Sequence, residues 1–445
     1  MLLFLIRPIV RFALWIFFRN VDLRGHGQVP QGRPVIFTAN HPNVMLDALL
    51  LSRFAPGETP RFIGKSTLFK NPLYAWFLGA LGAISVSRTQ DKGSRISSNR
   101  AMLRAAQNTL KEGHSLALFP EGVSHADPKV RDLKTGAARI ALRTGAESDG
   151  RDDICIVPVG LTYSDPGTFR SDVALHFGEP IEVTPFLEIY RENRSDAEKA
   201  LTDRIQERLI ALTRHIDNQG LEAIIQNLSA IYSDTLAADL PDTDTLSQEL
   251  RAEQEIIRAV HHFSETDPDL VLAFGRRLRA HQRKLRHFRL NPVQDTPVQT
   301  ARLILALLFA PPASYGFLTN ALPYYLPRLF ARPYGHEPEM IATVKLAIGA
   351  ALFPLYYGLL FGIAYALTDA RIALLFTISL PISGFFTLFY HESIWHPLRL
   401  IRKITPKAKT FLQRLAQERA ELLHELNNLK VRYLKEQGQT NKPEA

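Results

Sequence analysis

Thr38-Ala39-Asn40-His41-Pro42-Asn43-Val44-Met45-Leu46-Asp47 joins two patterns of different period. Ahead of it, Pro34, Val35, Ile36, Phe37 and Thr38 form a β-favouring run; behind it, Leu46, Ala48, Leu49, Leu50 and Leu51 open an apolar helix. His41 therefore falls where a strand turns into a helix, the place at which open α/β sheets carry their chemistry. A histidine with a carboxylate close by suits general-base work, since one ring nitrogen takes a proton while the acid holds the other and stabilises the charge. On one unbroken helix, residues six apart stand about 240° round the axis, so His41 and Asp47 can meet only if His41 precedes the helix. Pro42 and Asn43 argue that it does: the residue before a proline is pushed out of helical φ/ψ, and asparagine is a good N-cap. The competing reading is a surface turn with an incidental histidine and a capping aspartate.

The alternation continues from about residue 33 to 190, with strand candidates at 34–38, 82–87, 115–119, 154–159 and 172–177 and helix candidates at 43–54, 70–80, 96–112 and 132–144. This predicts an α/β class, a mixed and largely parallel sheet flanked by helices on both faces. In Gly82-Ala83-Ile84-Ser85-Val86-Ser87-Arg88, Arg88 leaves the carboxyl end of a strand, where a guanidinium can hold a phosphate through two parallel hydrogen bonds, or simply be solvated. In Leu116-Ala117-Leu118-Phe119-Pro120-Glu121-Gly122-Val123-Ser124-His125, a buried strand runs into a tight Pro-Glu-Gly turn that sets Glu121 and Gly122 at the sheet edge. His125 is either a further donor or a surface histidine. Three polar clusters, His41 with Asp47, Arg88, and Glu121 with Gly122, thus follow strands at their carboxyl ends, and in one sheet those ends share a crevice.

At 445 residues the chain has room for two or three domains, and its formal charge of +9 predicts an anionic partner: a phosphate-bearing metabolite, nucleic acid or a membrane face. The single cysteine, Cys155, excludes an internal disulfide and a cysteine-based metal site; within the apolar run Ile154 to Val157 it reads as core.

Taken together, the blocks resemble the glycerolipid acyltransferase family, the enzymes that acylate glycerol 3-phosphate and lysophosphatidic acid. The resemblance rests on Asn40, His41 and Asp47; on Gly82 to Arg88; on Phe119-Pro120-Glu121-Gly122; and on Ile156-Val157-Pro158-Val159, in order over residues 20–190. Lys65 in Gly64-Lys65-Ser66 and Lys134 in Leu133-Lys134-Thr135-Gly136 fall where the family carries basic residues. The resemblance implies that His41 deprotonates an acceptor hydroxyl and that Asp47 orients it. Arg88, Glu121, Gly122, Lys65 and Lys134 would hold the acceptor's phosphate. It also implies an acyl thioester co-substrate, carried by coenzyme A or by an acyl-carrier protein, with no metal and no other cofactor. The chain departs from the usual family pattern in showing His-x5-Asp rather than His-x4-Asp, and Val123-Ser124 where Thr-Arg is usual. The longer spacing followed by Phe-Pro-Glu-Gly-x-Ser-His looks more like the fungal glycerol 3-phosphate and dihydroxyacetone phosphate acyltransferases. The acceptor stays open: glycerol phosphate, its monoacyl form, or a lysolipid without a terminal phosphate. A non-catalytic membrane lipid-binding or scaffold protein is the alternative from another class.

Around this catalytic segment, residues 1–19 carry Arg7 and Arg11 beside Phe12, Trp15, Phe17 and Phe18, which predicts a helix in the membrane interface, or else a short span. Residues 191–300 read as helical, with Ala200, Leu201, Ile205 and Leu209 on a core-facing stripe. They end in the basic run Arg276, Arg277, Arg279, Arg283, Lys284, Arg286 and Arg289, which suits anionic lipid beside a membrane better than nucleic acid. Within a membrane region at 301–395, segments 341–367 and 372–390 match the ~20 apolar residues that cross a bilayer. Segment 303–326, interrupted by Pro311, Pro312 and Pro323, reads as re-entrant or interfacial. Basic residues on both flanks predict an even number of crossings, with the catalytic domain on the cytoplasmic face of an integral membrane protein. Residues 396–436 read as an amphipathic helix whose Leu415, Leu422 and Leu429 suit either a short coiled coil or packing on the same chain, and 437–445 as a disordered tail.

Overall fold

The computed structural model describes residues 3–65, 78–79, 81–86, 95–127, 129–148, 154–216, 219–238, 245–288, 300–395 and 406–437. The chain divides into two compact units, Met1–His215 with Pro327–Ala350 and Ile216–Leu326 with Ala351–Ala445.

The first unit is built on a sheet of strands β1 (Phe18–Arg24), β2 (Val35–Ala39), β3 (Arg61–Lys65), β4 (Ala83–Val86), β5 (Leu116–Leu118), β6 (Cys155–Tyr163), β7 (Ser171–Phe177) and β8 (Ile181–Glu182). Their order is β1-β7-β6-β2-β5-β3-β4, with β8 on β6. Strands β6, β2, β5, β3 and β4 run parallel, β7 is antiparallel to β6, and β1 is parallel to β7. This is the mixed, largely parallel sheet read from the sequence. Three of its strands were not expected. Polar side chains dominate β1, and Arg19 and Asn20 bond Asp172 on β7; β3 is a charged five-residue strand, and β8 has two residues. A pattern search for alternating apolar residues passes over all three.

Strand β6 shows how the sequence builds both faces. Cys155, Val157, Val159, Leu161 and Tyr163 point into one core, with Leu46, Leu49 and Leu50 of α2 (Val44–Phe54) and Val10, Leu14 and Phe17 of α1 (Leu3–Phe17). Ile154 and Ile156 point to the other. There they meet α3 (Arg95–Lys111), α4 (Gly136–Glu147), α5 (Thr184–Glu192) and α6 (Arg194–Leu212) through Leu103, Ala138, Leu187 and Leu201. Burying each such leucine stabilises the fold by about 1.5–3 kcal/mol, so α2 is anchored by its inner face while its first turn is free to carry polar chemistry. The first unit runs to His215 along this part of the chain. Helix α1 docks on the core through Val10, Leu14 and Phe17 and leaves Ile9, Phe12 and Trp15 exposed. Most of the helix expected at 70–80 lies outside the described residues.

In the second unit, α7 (Gln219–Ala238), α8 (Thr245–Thr266), α9 (Pro268–Phe288) and α13 (Pro406–Glu436) share a core that includes Ile225, Ile256, Phe274, Leu278, Leu422 and Leu426. The seven-residue leucine spacing of α13 thus serves packing on its own chain. Part of the basic run is engaged with the same helix: Arg277 donates to Glu425 (2.5 Å) and Lys284 to Glu418 (2.6 Å). Exposed pairs like these contribute less than about 1 kcal/mol each.

Three further helices, α10 (Thr300–Ala331), α11 (Pro338–Leu367) and α12 (Ala370–Phe389), are long and apolar enough to cross a membrane. Asp369 caps α12 by accepting from Arg371 and Ile372 N–H, which closes the tight α11–α12 turn. Helix α10 runs unbroken past Pro311, Pro312 and Pro323, where the sequence suggests an interruption. Its neighbours bond it along its length. Tyr390 donates to Ala306 C=O (3.0 Å) and Thr387 to Ala313 C=O (2.9 Å), while Asn320 donates to Leu380 C=O (3.1 Å) and accepts from Tyr357 (2.5 Å). The start of α11 belongs to the first unit: Ala342 is buried in its core, and Lys345 donates to Gly167 C=O (2.6 Å).

Candidate active site

The carboxyl ends of the five parallel strands line one edge of the sheet, and the polar residues gather at the edge formed by β2, β5 and β6. His41 lies in the turn after β2, before α2 begins. Its Nδ1 is 2.8 Å from Asp47 Oδ2, and Asp47 stands in the first helical turn, fully buried. The same Oδ2 accepts Asn43 N–H (2.7 Å), and Oδ1 accepts the Tyr163 hydroxyl (2.5 Å). Asn43 N–H and the Tyr163 hydroxyl both donate to this carboxylate, so Nδ1 is assigned as its third donor and Nε2 is left as the acceptor. The six-residue step from His41 to Asp47 needs a tight turn, and Val44 holds it at φ 29°. Left-handed backbone at a β-branched residue costs about 1–3 kcal/mol, borne here by the packing of α2.

The imidazole stacks on Phe119 after β5, with centroids 3.9 Å apart and planes at 10°. Its backbone is clamped from the same loop. Glu121 Oε1 accepts His41 N–H (3.3 Å), and His41 C=O accepts His125 N–H (3.1 Å). Glu121 Oε2 accepts Arg131 N–H (3.3 Å) and meets His125 Nε2. The Glu121 side chain is wholly buried. It was expected to face a phosphate; instead its carboxylate is turned inward and engaged by the protein.

The other expected residues divide into three groups. Asn40 donates to Leu161 C=O (2.9 Å) and accepts Leu161 N–H (2.7 Å), so its amide extends the β2–β6 ladder by one rung. Pro120 and Pro158 are buried; Pro120 C=O accepts Lys134 N–H (2.9 Å) and Pro158 C=O accepts Gly178 N–H (2.8 Å). Gly122 has φ 76°, open to glycine, and a Cβ added there would collide with the end of the Lys134 side chain. That ammonium makes no ion pair among the described residues. Lys65 ends β3 beside Val86 of β4, and Arg88 lies outside the described residues. Among the described residues, no group of three or more His, Cys, Asp or Glu is arranged to hold a metal ion.

Three participants were missed from the sequence: Tyr163, the Phe119 ring and the Arg131 N–H. For Tyr163 a signal existed, because it is the next residue on the period-two face of Val157, Val159 and Leu161, which looks onto α2. A second link joins this turn to α11. Asn43 donates to Pro166 C=O (2.8 Å), one residue from the carbonyl that Lys345 holds.

Fold and site define a class: an α/β acyltransferase domain with its histidine and acid at the carboxyl edge of the sheet. Residues 20–162 match the family described as Acyltransferase. It is 26% identical over 274 residues to glycerol-3-phosphate O-acyltransferase 1 of Saccharomyces cerevisiae, an alignment covering 56% of this chain and 35% of that protein. It is 24% identical over 208 residues to a 1-acyl-sn-glycerol-3-phosphate acyltransferase of Borreliella burgdorferi, covering 46% and 76%. The crystal structure of the 1-acyl-sn-glycerophosphate (LPA) acyltransferase PlsC from Thermotoga maritima shares 27% identity over 46% of this chain and 78% of that one, with a TM-score of 0.35. The chain spans 35% to 39% of the length of the fungal relatives that it matches over 56% of its own.

Proposed function

We propose that the protein is a membrane-bound O-acyltransferase that moves a fatty acyl group from a thioester to glycerol 3-phosphate or its 1-acyl form. His41 Nε2 takes the proton of the acceptor hydroxyl, the oxygen attacks the thioester carbonyl, the C–S bond breaks, and the departing sulfur takes the proton from the imidazolium. Asp47 stabilises that imidazolium and keeps its ring in place. The observation that carries the reading is the His41–Asp47 contact in a ring stacked on Phe119. The names of the yeast and Borreliella relatives support the two acceptors. Purified membranes given labelled palmitoyl-CoA or palmitoyl-acyl-carrier protein with glycerol 3-phosphate, lysophosphatidic acid or lysophosphatidylcholine test it side by side. Product from either of the first two acceptors is expected; transfer to lysophosphatidylcholine alone overturns the phosphate-bearing acceptor.

Lys134, with Arg88 and Lys65, forms the cationic side that receives the phosphate in this reading. Gly122→Ala adds a Cβ at a left-handed residue and against the Lys134 side chain. It should cost about 1–2 kcal/mol of stability. It should also raise the acceptor KM several-fold, measured by thermal unfolding and initial rates; an unchanged KM removes Lys134 from the phosphate site.

For topology, the proposal keeps an even number of crossings, α11–α12 forming the hairpin and the unbroken α10 lying along the interface, with the catalytic domain cytoplasmic. Two observations support it. Helix α13 shares a core with α7–α9, so the chain returns to the face it left. The start of α11 packs in the catalytic core, so α10 ends on the face where it began. A glycosylation reporter at Gly335 should stay unmodified and one between Thr368 and Asp369 should be modified; the reverse pattern overturns this topology.

A further inference from the structure

Tyr163 closes the far side of the His41–Asp47 pair, and no block of the family resemblance includes it. It ends β6 with its ring 6.0 Å from that of Phe18, and its hydroxyl reaches Asp47 Oδ1 at 2.5 Å. Asp47 has two other donors, both on Oδ2: the His41 ring and Asn43 N–H. Those two hold Oδ2 and leave Oδ1 to be satisfied from the other side. Among the described residues the Tyr163 hydroxyl alone holds the second oxygen.

We propose that Tyr163 is a positioning residue of the acyl transfer: by donating to Asp47 Oδ1 it fixes the carboxylate plane that keeps the Nδ1 proton on His41 and Nε2 free for the acceptor hydroxyl. The proposal rests on the general-base reading of His41. Burial and the adjacent Asp47 charge push the Tyr163 hydroxyl well above its ordinary value, so it remains a donor throughout the working pH range. Its donation also draws charge from the carboxylate, and this tempers the hold of Asp47 on a protonated imidazole. The remaining titratable groups at the pair are Glu121 and His125 from the loop after β5, which are engaged with one another.

The phenol can be weakened as a donor without disturbing packing. Tyr163→Phe keeps the ring against Phe18 and removes only the donor. In the full-length protein in its membranes, with palmitoyl-CoA and glycerol 3-phosphate or lysophosphatidic acid, kcat should fall roughly 3- to 30-fold, the effect of one charge-assisted hydrogen bond, with the acceptor KM within about twofold. The acid limb of the kcat/KM profile should move up by about half a pH unit or more, because the unneutralised carboxylate holds the protonated imidazole more strongly. Site-specific 3-fluorotyrosine at 163, a stronger donor of nearly the same shape, should move that limb down, and it serves equally if the phenylalanine variant does not fold. An acid limb unmoved in the folded variants overturns the proposal, whatever happens to kcat, since loss of packing alone lowers rate without shifting the limb. His41→Ala run alongside separates the two readings: turnover retained there removes the general base itself, whereas an inactive His41→Ala with an unmoved Tyr163→Phe profile removes only the positioning role.

Discussion

His41→Ala should reduce kcat by roughly 10³-fold or more while leaving the acceptor KM, the fold and membrane association largely unchanged. A general base held by an acid supplies about 10²- to 10⁴-fold, and no second base stands within reach among the described residues to replace it. His125 is the nearest candidate, but its Nε2 faces Glu121 and its side chain is buried. The structural cost should be small. The ring is 16% exposed, and its removal forfeits the Phe119 stack and one bond to Asp47, about 1–2 kcal/mol together. Labelled acyl transfer, with thermal unfolding as the control, measures both quantities. Turnover near the wild-type rate in a folded His41→Ala protein would mean that the acceptor is activated elsewhere.

Glu121→Gln should lower kcat by about 10²-fold and stability by about 2–3 kcal/mol together. Sequence reading places Glu121 on the substrate phosphate; geometry places its carboxylate between His41 N–H, Arg131 N–H and the His125 ring. An amide has one oxygen to offer where two are used, so it would turn an N–H toward another N–H and leave a buried donor unpaired. A carboxylate aimed at a phosphomonoester would also repel it. The two roles separate cleanly in experiment. A strut loses kcat and melting temperature together, with little change in acceptor KM, because the turn that aims His41 loosens. A residue that touches substrate changes KM at constant melting temperature, and that outcome would return Glu121 to the phosphate.

The near-total burial of this carboxylate also accounts for the spacing of the third block. Phe119 supplies the stacking face, Pro120 accepts the Lys134 N–H, Glu121 ties back to His41, and Gly122 makes room for the Lys134 side chain. Four consecutive residues therefore serve four contacts, two with the turn after β2 and two with Lys134, and the motif is a fitting that joins these loops.

The α/β class, the parallel strands β2, β4, β5 and β6, the place of His41 ahead of α2 and the long apolar helices α11 and α12 were all legible in the sequence. Each depends on local pattern: period-two runs, period-3.6 runs, a proline and an N-cap, all written within about ten residues of the position concerned. The direction of a charged side chain is not local. Whether Glu121 faces a ligand or the backbone of His41, and whether Tyr163 reaches Asp47 across 116 positions, were decided only when β2, β5 and β6 came together in one unit; whether α13 pairs with another chain or fills a core of its own was decided by its packing on α7–α9 in the other. The partners of α10 are likewise distant in sequence: Tyr390 and Thr387 donate to Ala306 and Ala313 C=O, 84 and 74 positions away. Sequence period sets which elements form and which faces they bury; the partner of a buried polar group is set by the fold, because desolvation forces that group to find whichever donor or acceptor the packing brings within reach.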